Sequence, residues 1–149
     1  MRLLDTVHTI LERKGFLVHS VGPEATVYQS LEALANNNIG AVLVMSGEEV
    51  VGIFSERDYA RKVVLKGKWS REIRVSEIMI SPVITVTPDH RVEECMKIMT
   101  QNRIRHLPVL DDNKVIGVVS IGDLVNCIIS AQEETIHHLE GYIAGKYPG

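Results

Sequence analysis

The spacing of apolar residues changes along the chain, and the changes mark its elements. Val27, Leu31 and Leu34 recur at helical spacing after Pro23-Glu24, and Val92, Met96 and Met99 do the same after Pro88-Asp89. Proline at the entry, and Asn36-Asn37-Asn38 or Asn102 at the exit, bound the two predicted helices. An extended segment precedes each helix, at 17–21 and 82–86. Two runs rich in β-branched residues follow each helix, at 39–45 and 50–54, then at 104–110 and 115–119. Ser46-Gly47-Glu48-Glu49 and Asp111-Asp112-Asn113-Lys114 are turn sequences, so each pair of runs predicts a hairpin. A second helix opens at Ser55 in one half and at Ser120 in the other. The predicted order is β-α-β-β-α, twice.

The two halves align without a gap. Gly52 and Gly117 stand 65 residues apart, and the same offset pairs Pro23 with Pro88, Asn37 with Asn102, Ser55 with Ser120 and Asp58 with Asp123. The chain therefore divides into an N-terminal amphipathic helix at 1–16 (Leu4, Val7, Ile10, Leu11, closed by Gly15), repeat one at 17–66, a connector at 67–81, repeat two at 82–131, and a helical tail at 132–149. One repeat alone would leave a sheet face wet, so the fold class is α/β (α+β), with the two repeats packed on each other.

Gly-x-x-Ser-x-x-Asp occurs twice, as Gly52–Ser55–Asp58 and Gly117–Ser120–Asp123, where a strand hands over to a helix. Two readings share this geometry. Serine followed three residues later by an acid forms a helix capping box. The same helix start offers free N–H groups to an anion, and the carboxylate can accept hydrogen bonds from ribose hydroxyls. A glycine in the strand would let a ligand approach the backbone.

The doubled unit, this motif, the connector residues Val75 to Met79 and Arg105-His106-Leu107-Pro108-Val109 together resemble a tandem pair of CBS domains (cystathionine β-synthase domains, a Bateman module), over roughly residues 10–140. The resemblance implies pseudo-two-fold packing, two clefts between the sheets, and an adenine-nucleotide ligand: AMP, ADP, ATP, NAD(H) or S-adenosylmethionine. By that pattern cleft one uses Ser55, Arg57 and Asp58 with Thr85, Ile104, Arg105 and His106, and Met79 as a wall. Cleft two uses Ser120 and Asp123 with Ile39, Gly40 and Ala41. The aspartates would hold ribose, and Arg105 and His106 would face phosphate. Repeat one has Gly40-Ala41 where repeat two has Arg105-His106, so cleft two lacks those cations. Arg57, Arg103 and Arg105 equally suit a solvated edge with snorkelling stems.

Composition narrows the function classes. At 149 residues, 45% hydrophobic and 23% charged, the chain can bury a full core without disulfide or metal. A net charge of −3 gives no general means of neutralising a nucleic-acid backbone. Cys95 and Cys127 match no redox or zinc spacing and read as small apolar packers in a cytoplasmic protein. His137 and His138 diverge on a helix and read as surface residues. No apolar stretch is long enough to span a membrane. No metal site, catalytic cofactor or nucleophile–base pair is indicated, so the expected protein is a non-catalytic nucleotide sensor regulating an unidentified protein. The alternative is a ligand-independent interaction module. Apolar helix faces near Tyr59 and Leu124 are expected to be covered in a homodimer.

Overall fold

The computed structural model describes residues 5–143. Repeat one contains β1 (Ser20–Val21), α2 (Val27–Asn37), β2 (Ala41–Ser46), β3 (Glu49–Ser55) and α3 (Glu56–Tyr59), which runs on into a π-helical turn at Ala60–Val64. Repeat two contains α4 (Val92–Asn102), β4 (His106–Asp111), β5 (Lys114–Ser120) and α5 (Ile121–Ile143), and α1 (Val7–Lys14) precedes both. Both hairpins form in equivalent register, Ala41 opposite Ser55 and His106 opposite Ser120, and both shift register at the same place, Val44/Met45 and Val109/Leu110. Asp112 and Asn113 both adopt positive φ, as a tight hairpin turn requires.

Three elements differ from the sequence expectation. The 17–21 strand contracts to Ser20–Val21, parallel to β2. The 82–86 strand contracts further, to a single parallel bridge between Val86 and Val109. Proline explains the second contraction. In repeat one Leu43 N–H donates to the His19 carbonyl at 3.2 Å. Its equivalent in repeat two is Pro108, which has no N–H to give. In the third difference, α5 runs unbroken through positions 131 and 132, joining repeat two and the tail in one helix.

Each repeat has its own core, and each core is completed by the segment that precedes the other repeat. Val7, Ile10 and Leu11 of α1 are buried with Val92, Leu107, Val119 and Leu124 of repeat two. Ile73, Val75 and Ile78 of the connector are buried with Val27, Val42 and Phe54 of repeat one. The backbone bonds match one for one. Val7 and His8 N–H donate to the carbonyls of His90 and Pro88, and Val92 N–H donates to Asp5. Val75 and Ser76 N–H donate to Ala25 and Pro23, and Val27 N–H donates to Ile73. The strand glycines fit this exchange: a Cβ on Gly117 would stand 2.7 Å from Leu11 Cδ2, and one on Gly52 would stand 2.2 Å from Met79 Sδ. Gly52 and Gly117 thus admit the protein's own side chains, correcting the expectation that they admit a ligand.

Cys95 and Cys127 are buried and unpaired with each other. Burial pushes both thiols up to about 11, which suits inert packing. Leu124 is fully buried and Tyr59 packs on the core of repeat one, so neither presents an open face. The exposed apolar residues lie beside them: Val64 and Leu65 on one helix, Val125 and Ile129 on the other.

Leu11 tests the exchange, since it belongs in sequence to the N-terminal helix and in space to repeat two. Leu11→Ala is expected to cost about 2–5 kcal/mol in urea unfolding, the range for a fully buried leucine. Hydrogen exchange should place the loss in α4, β4 and β5, with β2 and β3 spared. Uniform loss in both repeats, or none, contradicts the exchange.

Candidate functional site

The serine–aspartate motifs begin as helix caps. Ser55 and Asp58 form a complete capping box: Asp58 N–H donates to Ser55 Oγ at 3.2 Å, and Ser55 N–H donates to Asp58 Oδ2 at 3.0 Å. Ser55 O–H also donates to Oδ2 at 2.9 Å. These bonds hold the nearly buried Asp58 carboxylate at the start of α3, and its other oxygen, Oδ1, has Lys62 Nζ at 3.6 Å. Repeat two reproduces the box: Asp123 N–H donates to Ser120 Oγ at 3.2 Å, and Ser120 N–H to Asp123 Oδ2 at 2.8 Å.

Strand starts are tied across the helix starts in the same way. Glu56 N–H donates to the Gly40 carbonyl, and Ile121 N–H donates to the Arg105 carbonyl. Arg103 ends α4 in a left-handed conformation (φ 54°), and its carbonyl accepts from the Arg57 guanidinium at 3.4 Å across the repeats.

Cleft one is a cavity of about 690 Å³. It brings together Ser55, Arg57 and Asp58 from repeat one with Ile104, Arg105 and His106 from repeat two, as the resemblance implied, and adds Gly40. Arg61 and Lys62, one turn beyond Asp58, also line it, as do Glu56 and Arg103. Its wall therefore carries five cationic side chains (Arg57, Arg61, Lys62, Arg103, Arg105) and two carboxylates (Glu56, Asp58). Arg61 and Lys62 belong to no motif in the sequence; their spacing from Asp58 on one helix is the available signal. Two expected residues are not among the cavity's lining. Met79 packs against Gly52 and the core of repeat one instead of forming a wall. Thr85 is exposed, and the cavity is lined beside it by Val83 and Ile84.

Cleft two is divided. Ile39, Gly40, Ala41 and Ser120 line one cavity of about 380 Å³, together with His106. Asp123 lines another, of about 350 Å³, with Arg13, Asn126 and Ser130. Lys14, from the end of α1, lines both. Its ammonium donates to Asp123 Oδ2 at 2.7 Å and to the Val118 carbonyl at 2.8 Å. Nothing in the amino-acid order points to Lys14, because its partner lies 109 residues away.

His106 borders both clefts, with its ring 3.5 Å from where a Cβ on Gly40 would sit. Burial pushes its imidazole below 6.5; Lys14 and Arg105 push it the same way, and Asp123 and Asp58 oppose them. Among the described residues no cluster of His, Cys, Asp or Glu is placed to hold a metal, and His137 and His138 are exposed. No described helix is long and apolar enough to cross a membrane.

Two units of equivalent element order and hairpin register, with a serine–aspartate box at each strand–helix junction, define the class of the protein. The CBS domain model matches residues 18–65 and 75–130, and the chain belongs to the CBS-domain family. It is 42% identical over 127 residues to the Arabidopsis thaliana CBS domain-containing protein CBSX3, mitochondrial, covering 82% of this chain and 62% of that protein. The chain thus spans less than two thirds of that relative's length. The mitochondrial name of this relative lends no support to a cytoplasmic location for the chain. Among solved structures, a CBS domain protein, NE2398, superimposes with a TM-score of 0.80 at 46% identity, covering 84% of this chain and 98% of that one. The CBS pair of protein MJ0100, in complex with 5′-methylthioadenosine and S-adenosylmethionine, superimposes with a TM-score of 0.75 at 23% identity, covering 86% and 98%.

The lowered His106 value generates a pH test. Between the ordinary imidazole value of 6.5 and the lower folded value, the unfolded chain binds a proton that the folded chain refuses. Stability is therefore whole above 6.5 and falls as pH drops through that window. His106→Gln should flatten this part of the thermal-unfolding profile between pH 7.5 and 5, with the other histidines common to both proteins. An unchanged slope removes His106 as its source.

Proposed function

We propose that this CBS-domain pair is a regulatory, non-catalytic sensor that binds a phosphate-bearing adenine nucleotide (AMP, ADP, ATP or NAD(H)) in cleft one. The observation that carries the reading is the convergence, in one cavity, of a nearly buried aspartate at a helix start with five cationic side chains from both repeats. Asp58 would accept the ribose hydroxyls through Oδ1, since Oδ2 is taken by Ser55. Ser55, Arg105 and His106 would face the phosphates, with Arg57 and Arg103 beside them. Ile53, Ile80 and Ile104 supply apolar surface for the base. A cavity of this size lies in the usual range for small-molecule sites. Excess positive charge favours phosphates over the sulfonium of S-adenosylmethionine, although MJ0100 binds that molecule.

Because the ligand touches both repeats, its binding would fix how they sit and so inform whatever reads the module. Val125, Ile129, Ile136 and Leu139 are exposed along α5 and offer the surface for a second copy of the chain, or for the regulated protein. The ligand-independent reading rests on a specific observation too: both motifs are complete capping boxes, which accounts for serine and aspartate with no ligand.

Thermal unfolding with AMP, ADP, ATP, NADH and S-adenosylmethionine separates the two. A phosphate-bearing nucleotide at about 100 times its Kd is expected to stabilise the protein by about 2.7 kcal/mol. Asp58→Asn should abolish this while costing about 1 kcal/mol of basal stability through the weakened cap. No shift with any nucleotide supports the interaction module instead.

A further inference from the structure

The exchange of preceding segments gives α1 and the connector equivalent places, so Leu11 corresponds to Met79 and, three residues on, Lys14 corresponds to Pro82. Beside cleft one this position carries a residue with neither charge nor donor. Beside cleft two it carries an ammonium. Burial of Val7, Ile10 and Leu11 anchors α1, and Gly15 closes it directly after Lys14. The ammonium is then held by two bonds of 2.7–2.8 Å, one to the Asp123 carboxylate and one to a strand carbonyl. It stands between Asp123 and the pocket formed by Ile39, Gly40, Ala41 and Ser120; their counterparts in cleft one, Asp58 with Ile104, Arg105, His106 and Ser55, line a single cavity.

We infer that Lys14 is an internal counter-ion that closes cleft two, so that each chain holds one nucleotide, and that its removal opens a second site for an uncharged adenine nucleoside. The inference rests on the reading of cleft one as a nucleotide site. Lys14 bonds Asp123 Oδ2, the oxygen that the cap also uses, so the closure comes from where the tethered ammonium stands, between the carboxylate and the pocket. Without the tethered ammonium, the Asp123 carboxylate and the pocket would open to one another, as Asp58 and its neighbours do in cleft one. Gly40 and Ala41, where repeat two has Arg105 and His106, leave Arg13 at the Asp123 end as the cation of the opened cleft, against five in cleft one, so it suits adenosine better than ATP.

Equilibrium dialysis of the full chain against labelled adenosine, with and without saturating ATP, tests this. K14M keeps the apolar stem and removes the charge; K14A repeats the measurement without the stem, and far-UV circular dichroism checks that each is folded. Under saturating ATP the wild type should bind under 0.1 adenosine per chain and K14M about one. K14M/D123N should return to the wild-type count. Equal adenosine counts for wild type and both Lys14 variants, or one adenosine on the wild type beside bound ATP, overturn the lock. ATP bound by neither protein overturns the reading of cleft one alone, because the difference in adenosine count still reports on Lys14.

Discussion

The structure depends on a trade between the two halves: neither repeat closes its own hydrophobic core. α1 precedes repeat one and seals repeat two, and the connector precedes repeat two and seals repeat one. Leu11 on Gly117 and Met79 on Gly52 are the contacts at which this is tightest, since any side chain at either glycine would overlap its neighbour. Fully burying a leucine, as at Leu11, contributes roughly 1.5–3 kcal/mol, and the partly buried Met79 contributes less. The same burial fixes the register of each half on the other, and this brings the start of α3 opposite the start of β4. Cleft one is a product of core packing before it is a binding site.

Within that frame, the capping boxes make the chemistry. A carboxylate at a helix start is held by N–H groups that would otherwise lack a partner, and the helix end favours its negative charge. Asp58 is therefore stable while nearly buried, with one oxygen committed to the cap. Repeat two builds an identical box, and a single lysine from outside the repeat changes its surroundings. Duplication supplied two equivalent junctions; differences at a few neighbouring positions, Lys14 against Pro82 and Arg105-His106 against Gly40-Ala41, made them chemically unlike.

Much of this was legible in the amino-acid order. Both hairpins and the helices α2 and α4 follow from local periodicity, turn residues and caps, and these are short-range signals. Ser55, Arg57, Asp58, Ile104, Arg105 and His106 line one cavity, as expected from the motif and the family pattern. Long-range facts were hidden. Nothing near Gly52 or Gly117 says that a methionine or leucine from another segment rests on it, so a glycine in a strand suggested room for a ligand. Met79 was read as a wall for the same reason: its neighbours in sequence do not reveal the face it covers. Pro108 is visible in the sequence, but its effect on the 82–86 segment emerges only once that segment is paired with β4.

The interleaving also has a temporal side. A ribosome releases α1 ahead of repeat one, while the residues it will cover, those of repeat two, emerge only after repeat one and the connector. Until then this helix has no destination, and its apolar stripe is open to chaperones or to other nascent chains. Repeat one, by contrast, can mature as soon as the connector leaves the exit tunnel. α1 thus finds its place only once repeat two has left the exit tunnel.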